Sequence, residues 1–240
     1  MVAIDDVQIY YEIYGSGAPL LLLHGGLGYV EQWENQIPAF AETYQVIAMD
    51  SRGHGRSTLT AKPLDYHLMA LDVVALLDHL GIEQVDVVGF SDGGNIGLDL
   101  AINHPDRVGK IVAYGANYSA DGVKPSVDTD PKLGAYFEST AVAYQKLSAE
   151  PERWDEFLGN VLNMWGHDVH FTPEQLGTIS TPILVLDGDN DEAIKTEHTE
   201  EMASLIPTAT LHLLPGTGHF AMTEKAEEFN QVVLDYLSGE

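Results

Sequence analysis

Cysteine is absent from this 240-residue chain. Its absence excludes disulfides, a thiolate nucleophile and any metal site built on thiolates. Basic residues are scarce: 11 Lys and Arg stand against 37 Asp and Glu, a formal net charge of -26 at pH 7. A surface this negative repels nucleic acid and anionic membranes, so neither is expected as a partner. Self-repulsion of this kind also opposes the compact state, and salt screens it, so the composition points to a salt-adapted source. Long apolar runs are missing as well. No stretch reaches the roughly eighteen residues that a spanning helix needs. Residues 1–5 show no basic region leading into an apolar one. Neither a membrane span nor a secretory signal is expected, and the chain reads as cytoplasmic.

What is present is a hydrophobic content of 45%, enough for one α/β domain with a large core, cut into short segments. Val7–Tyr14 reads as an early strand closed by Gly15-Ser16-Gly17. Leu20–Leu23, Val46–Met49, Val85–Val88, Ile111–Tyr114, Ile183–Leu186 and Thr210–Leu214 are apolar runs of strand length. Between them lie helical patterns near Val30–Tyr44, Leu68–Leu80 with Gly81 as C-cap, Gly93–Asn103, Lys195–Leu205 and Thr223–Leu237. The alternation predicts a single α/β domain over residues 1–240, with a mostly parallel central sheet and helices on both faces. It stops between Ser119 and Gly177. Residues 120–177 read instead as a small helical cap in which Trp154, Phe157, Leu158, Val161, Leu162 and Trp165 share one face. Trp154 and Trp165 are the candidates for walls of a substrate pocket.

One stretch carries chemistry by itself. Val85–Val88 runs into Gly89-Phe90-Ser91-Asp92-Gly93, a G-x-S-x-G turn between a strand and a helix. Such a turn strains the serine backbone and lifts its hydroxyl above the sheet, and bulk at either glycine would collide with neighbouring backbone. A serine hydroxyl needs a base within hydrogen-bond reach, and that base needs a carboxylate to orient it. Reactive groups in such sheets gather beyond the carboxyl ends of the strands. That filter leaves Ser91, an acidic pair after Ile183–Leu186, and His219 after the last strand, in the order serine, acid, histidine. The other nine of ten histidines fall elsewhere in the pattern. His167 and His170 sit in the cap without further metal ligands nearby. Asp191 lies further along its loop than Asp189, which next to Gly188 suits a turn-former bonding its own backbone. Two backbone donors are needed for an oxyanion. Asp92 N–H is one, at a helix start, and Gly26 N–H is the other, with Leu27 as second choice.

These motifs, together with His24-Gly25-Gly26, Asp50–Ser57, Gly188–Asp191 and Gly218-His219, resemble the α/β-hydrolase-fold serine hydrolases over essentially the whole chain. The resemblance implies an acid three residues after the strand-ending glycine, supporting Asp191. It also implies an oxyanion donor just after His-Gly, supporting Gly26, and a cap where the alternation breaks. Ser91 in place of aspartate argues against haloalkane dehalogenase or epoxide hydrolase activity. The expectation is a carboxylesterase-type serine hydrolase of small to medium acyl esters. It would work through an acyl-enzyme on Ser91, Asp191 and His219, with a small-molecule ester as partner and no metal or organic cofactor. Ser91-Asp92-Gly93-Gly94 with Tyr114–Asn117 resembles the valacyclovir-hydrolase branch, in which the acid after the nucleophile is associated with a substrate amine. The alternatives are thus an α-amino-acid ester hydrolase, a lactonase, a cofactor-free perhydrolase, or a ligand receptor that keeps the triad.

Overall fold

The computed structural model describes residues 1–166 and 170–239. Eight strands form one sheet: β1 (Val2–Ile4), β2 (Val7–Tyr14), β3 (Ala18–Leu23), β4 (Tyr44–Asp50), β5 (Val85–Phe90), β6 (Val108–Tyr114), β7 (Ile183–Gly188) and β8 (Ala209–Leu214). Their spatial order is β1-β2-β4-β3-β5-β6-β7-β8. The first two strands pair antiparallel, β2 pairs antiparallel with β4, and every later pairing is parallel. The chain has the α/β-hydrolase fold.

Parallel strands covered on both faces must be apolar on both, and the apolar runs are. In β3, Leu21 and Leu23 join one core while Leu20 and Leu22 join the other. Ile183 and Val185 of β7 likewise oppose Leu184 and Leu186. The helices follow in chain order as α1 (Ile37–Phe40), α2 (Tyr66–Leu80), α3 (Asp92–Asn103), α4 (Pro131–Leu147), α5 (Trp154–Trp165), α6 (Pro173–Leu176), α7 (Thr196–Leu205), α8 (Ala221–Glu224) and α9 (Ala226–Ser238). Helices α2 and α3 cover one face with Met69, Val73, Ile96 and Leu100, and α1 and α9 cover the other with Phe40, Phe229 and Val233. Among the described residues, no helix is long and apolar enough to cross a membrane.

Two helices differ from the sequence expectation. The segment from Val30 to Tyr44 is a 3-10 turn over Val30–Trp33 and the four-residue α1, after which Tyr44 already opens β4. Pro38 is confined to the first turn of α1 because it lacks the N–H that a longer helix would use. The last helix is broken into α8 and α9 at Lys225, whose φ of -140° and ψ of 60° are not helical.

Between β6 and β7 the chain leaves the sheet for α4, α5 and α6. Helix α4 starts on an Asp130 side chain that accepts from the Lys132 and Leu133 N–H groups, and α6 starts with a Thr172–Gln175 capping box. The buried stripe of α5 is Phe157, Val161 and Met164, while Leu162 is half exposed.

Candidate active site

The carboxyl ends of β5, β7 and β8 and the helical insertion enclose a cavity of about 390 Å³. Ser91, Asp92, Gly26 and His219 line its floor, and Leu133, Tyr136, Phe137, Leu162 and Trp165 of the insertion line its roof.

Ser91 has φ +51° and ψ -115°, a region that side-chain-bearing residues rarely occupy. It is held there by its own N–H, which donates to the Tyr114 carbonyl at 2.7 Å, and by its carbonyl, which accepts from Asn95 N–H at 3.1 Å. The flanking glycines have a steric cause. A Cβ on Gly89 would overlap the Gly93 carbonyl, and one on Gly93 would overlap the Leu23 carbonyl.

His219 follows β8, and its Nδ1 lies 2.6 Å from Asp191 Oδ2. That contact occupies Nδ1 and leaves Nε2 as the other ring nitrogen. Asp191 is almost fully buried and accepts from the Ala193 and Ile194 N–H groups through Oδ1, at 2.5 and 2.6 Å. Burial works to raise its pKa, but the His219 ring and these donors outweigh it and hold the carboxyl below its ordinary range. Asp189 has a different employment: its Oδ1 accepts from Gly216 N–H and the Asn190 amide, pinning one turn to the next. The histidine loop is itself fastened. Glu192 accepts from His219 N–H at 2.8 Å and Glu224 from Gly218 N–H at 2.7 Å, while Lys132 of the insertion pairs with both glutamates.

Asp92 opens α3 with its carboxylate turned into the cavity. Trp165 Nε1 donates to both of its oxygens, and Tyr66 hydroxyl donates to Oδ1 at 2.8 Å. Burial pushes its pKa up to about 6, against the opposing pull of those two donors and of His219. Gly26 faces this carboxylate closely enough that a Cβ there would meet Asp92 Oδ2 at 2.6 Å and run into the Trp165 ring. Gly26 lines the cavity; Leu27 is buried and does not.

Of the two tryptophans expected at the pocket, Trp165 is in its wall and Trp154 is not. Trp154 packs on Tyr144 and Phe157 inside the insertion. The two share a helix face, but eleven residues of α-helix separate them by roughly 16 Å along the axis, so only the C-terminal one reaches the elbow. His170 lines the cavity with its ring edge-on to Tyr66, and His167 lies outside the described residues.

Three contributors were not found from the sequence. Tyr136 of α4 donates to the Gly26 carbonyl at 2.7 Å and accepts from Gln32 Nε2 at 2.8 Å, so the insertion holds the peptide after His-Gly. His24 accepts from Ser51 N–H through Nε2 while its Nδ1 sits 2.7 Å from the Gly25 carbonyl, joining the loops after β3 and β4. Asp50 fixes the same region by accepting from Val30 and Arg56 N–H groups. The histidine in His-Gly was the one legible signal, since a buried imidazole must find partners.

Residues 18–141 match the family described as the alpha/beta hydrolase fold. The chain is 32% identical over 262 residues to a protein provisionally named carbamate hydrolase RutD of Caulobacter sp. (strain K31), covering 97% of this chain and 96% of that one. It is 30% identical to 2-hydroxy-6-oxo-6-phenylhexa-2,4-dienoate hydrolase of Comamonas testosteroni, covering 98% and 92%. Among solved structures, Est816, described as an N-acyl homoserine lactone degrading enzyme, superposes with a TM-score of 0.78 at 30% identity, covering 98% and 99%. The meta-cleavage product hydrolase CumD of Pseudomonas fluorescens IP01 superposes with a TM-score of 0.81 at 23% identity, covering 97% and 95%, a likeness of fold.

Proposed function

The chain belongs to the α/β-hydrolase fold family and is a hydrolase, and from that premise we propose a serine hydrolase of uncharged carboxylic esters or lactones of small to medium size. The observation that carries this reading is the Asp191–His219 pair at 2.6 Å, opening on the same cavity as Ser91 in its strained turn. Ser91 Oγ attacks the carbonyl while His219 Nε2 takes its proton, and Asp191 stabilises the imidazolium that forms. The oxyanion is held by Asp92 N–H at the start of α3 and by Gly26 N–H. The proton on His219 then passes to the departing alcohol, and water repeats the sequence on the acyl-enzyme.

Neutral substrates are favoured by the walls. Among the described residues, neither Lys nor Arg lines the cavity, whereas Asp92 and Asp128 do. A dienoate of the kind named for the Comamonas relative carries a carboxylate, which would meet no cation here and one buried anion. A second reading, an α-amino ester hydrolase, rests on Asp92 itself. It is a buried carboxylate held by neutral donors, with no Lys or Arg within ion-pair distance among the described residues. A substrate ammonium would supply that charge.

A chromogenic panel tests the proposal: neutral esters of increasing acyl length, a lactone, an α-amino ester, a carbamate and a dienoate. Turnover of neutral esters or lactones that Ser91→Ala abolishes supports it. Carbon–carbon cleavage of the dienoate without ester turnover overturns it. Preference for the amino ester that Asp92→Asn removes favours the second reading.

A further inference from the structure

Between β8 and α8 the backbone of the histidine loop is met by side chains. Glutamates take its N–H groups, and a tyrosine from the middle of the sheet takes its carbonyls. Tyr114 is the last residue of β6, in register with Phe90 on β5 and Leu186 on β7, and it is buried. Its hydroxyl donates to the His219 carbonyl at 2.6 Å, with the Gly218 carbonyl a longer second acceptor at 3.2 Å. The same oxygen accepts from Ala221 N–H at 2.6 Å. A phenol has one proton to give and lone pairs to receive with, and these contacts use both. Burial holds its pKa well above the usual range, so the hydroxyl stays a donor. The ring is held as well: it stacks on Phe90 at 5.3 Å between centroids and meets Phe229 of α9 edge-on at 5.0 Å.

The same residue holds the nucleophile. Its carbonyl accepts from Ser91 N–H at 2.7 Å, one of the bonds that keep the serine in its strained turn. The His219 ring lies against this strand end. Its centroid is 4.9 Å from that of Phe90, and a Cβ on Gly115, the residue after Tyr114, would meet His219 Cε1 at 2.9 Å. Base and nucleophile come from loops more than a hundred positions apart, yet both are tied to the end of β6.

We propose that Tyr114 is a positioning residue for His219: its hydroxyl fixes the backbone of the histidine loop while its carbonyl fixes Ser91, so that one buried residue sets the base against the nucleophile. The inference rests on the triad reading given above. Core packing asks for the ring and not for the oxygen, since a phenylalanine would fill the same space between Phe90 and Phe229. What the oxygen adds is a fixed place for the His219 carbonyl and the Ala221 N–H. Without it both lose a partner, and the loop shifts to find others.

Tyr114→Phe removes the oxygen and keeps the ring contacts. It should lower kcat by about ten- to 100-fold, the scale of a misplacement of about an ångström at a reacting group, with KM nearly unchanged. Val233→Ala, which thins the same core from α9, is the control for lost stability and should keep kcat. A second readout needs no substrate. In nitrogen NMR of histidine-labelled protein, His219 is assigned by its loss in His219→Gln. Its ring resonances should move in Tyr114→Phe and stay in place in Val233→Ala. Wild-type kcat in Tyr114→Phe, a change confined to KM, unmoved His219 resonances, or equal movement in the two variants overturns the inference. So does a Tyr114→Phe chain that does not fold, which would make the oxygen a requirement of the fold itself. Were the wild type to turn over none of the panel, the ester-hydrolase reading would fail, and the imidazole resonances alone would decide the role of Tyr114.

Discussion

Trp165 donates its indole N–H to both carboxylate oxygens of Asp92, at 2.9 and 3.0 Å. The bond ties the last residue of α5 to the first residue of α3, and so joins the helical insertion to the turn that carries Ser91. It also leaves a carboxylate buried at the floor of the cavity.

That carboxylate should be visible in the pH dependence of stability. Burial raises the folded pKa of Asp92 from 3.8 to about 6, so the folded state holds the proton more tightly than the unfolded chain. Its ionisation costs nothing below about pH 4, and the cost accumulates as pH rises to about 6. Relative to wild type, Asp92→Asn should therefore gain roughly 2–3 kcal/mol across that window, on top of any constant offset from altered hydrogen bonds. Urea unfolding at a series of pH values reads this directly. A difference that does not vary with pH would return Asp92 to an ordinary acid.

The strain at Ser91 should be separable from its chemistry. Ser91→Gly and Ser91→Ala should each lower kcat by about 10³-fold or more if the hydroxyl is the nucleophile. Glycine adopts positive φ without penalty, so Ser91→Gly should be about 1 kcal/mol more stable than Ser91→Ala. Equal melting temperatures for the two variants would contradict the strained geometry.

Tyr136 gives a prediction about the insertion. Its hydroxyl fixes the Gly26 carbonyl at 2.7 Å, in the peptide adjacent to the Gly25–Gly26 unit whose N–H is proposed to hold the oxyanion. Removing an oxyanion donor costs 10² to 10³, and a group acting one bond away should cost less, about tenfold. Tyr136→Phe should lower kcat by that amount with KM nearly unchanged. A change confined to KM would assign Tyr136 to substrate binding.

The net charge of -26 should make stability salt-dependent. Raising NaCl to about 1 M shortens the screening length to about 3 Å and should stabilise the fold by at least about 1 kcal/mol, seen as roughly 2–4 °C in melting temperature. Sucrose, which carries no charge, separates screening from solvent exclusion. A flat response to salt would count against the salt-adapted source inferred from composition.

The strands were the most legible part of the fold. Leu20–Leu23 and Ile183–Leu186 must be apolar at every position to be buried on two faces, and that demand is local. Helix lengths were less so. The apolar residues after Val30 fit a helical face, but Pro38 and the early start of β4 confine them to a 3-10 turn and one α-turn. The α5 pattern allowed two tryptophans to line the pocket, and only position along the helix axis separates Trp165 from Trp154.

The elbow shows how far local chemistry reaches. From residues 85–94 alone follow the strand, the strained serine, the two glycines that must lack Cβ atoms, and a helix whose first N–H groups face outward. The order of Ser91, Asp191 and His219 along the chain is likewise sequence information. That the Asp191 and His219 side chains meet, and that Tyr136 holds Gly26, depend on contacts between different strand ends and on the return of the insertion over the sheet. Those contacts join residues up to 110 positions apart. No local pattern encodes them, because a hydrogen bond between distant residues is set by strand order and packing rather than by the neighbours of either residue in sequence.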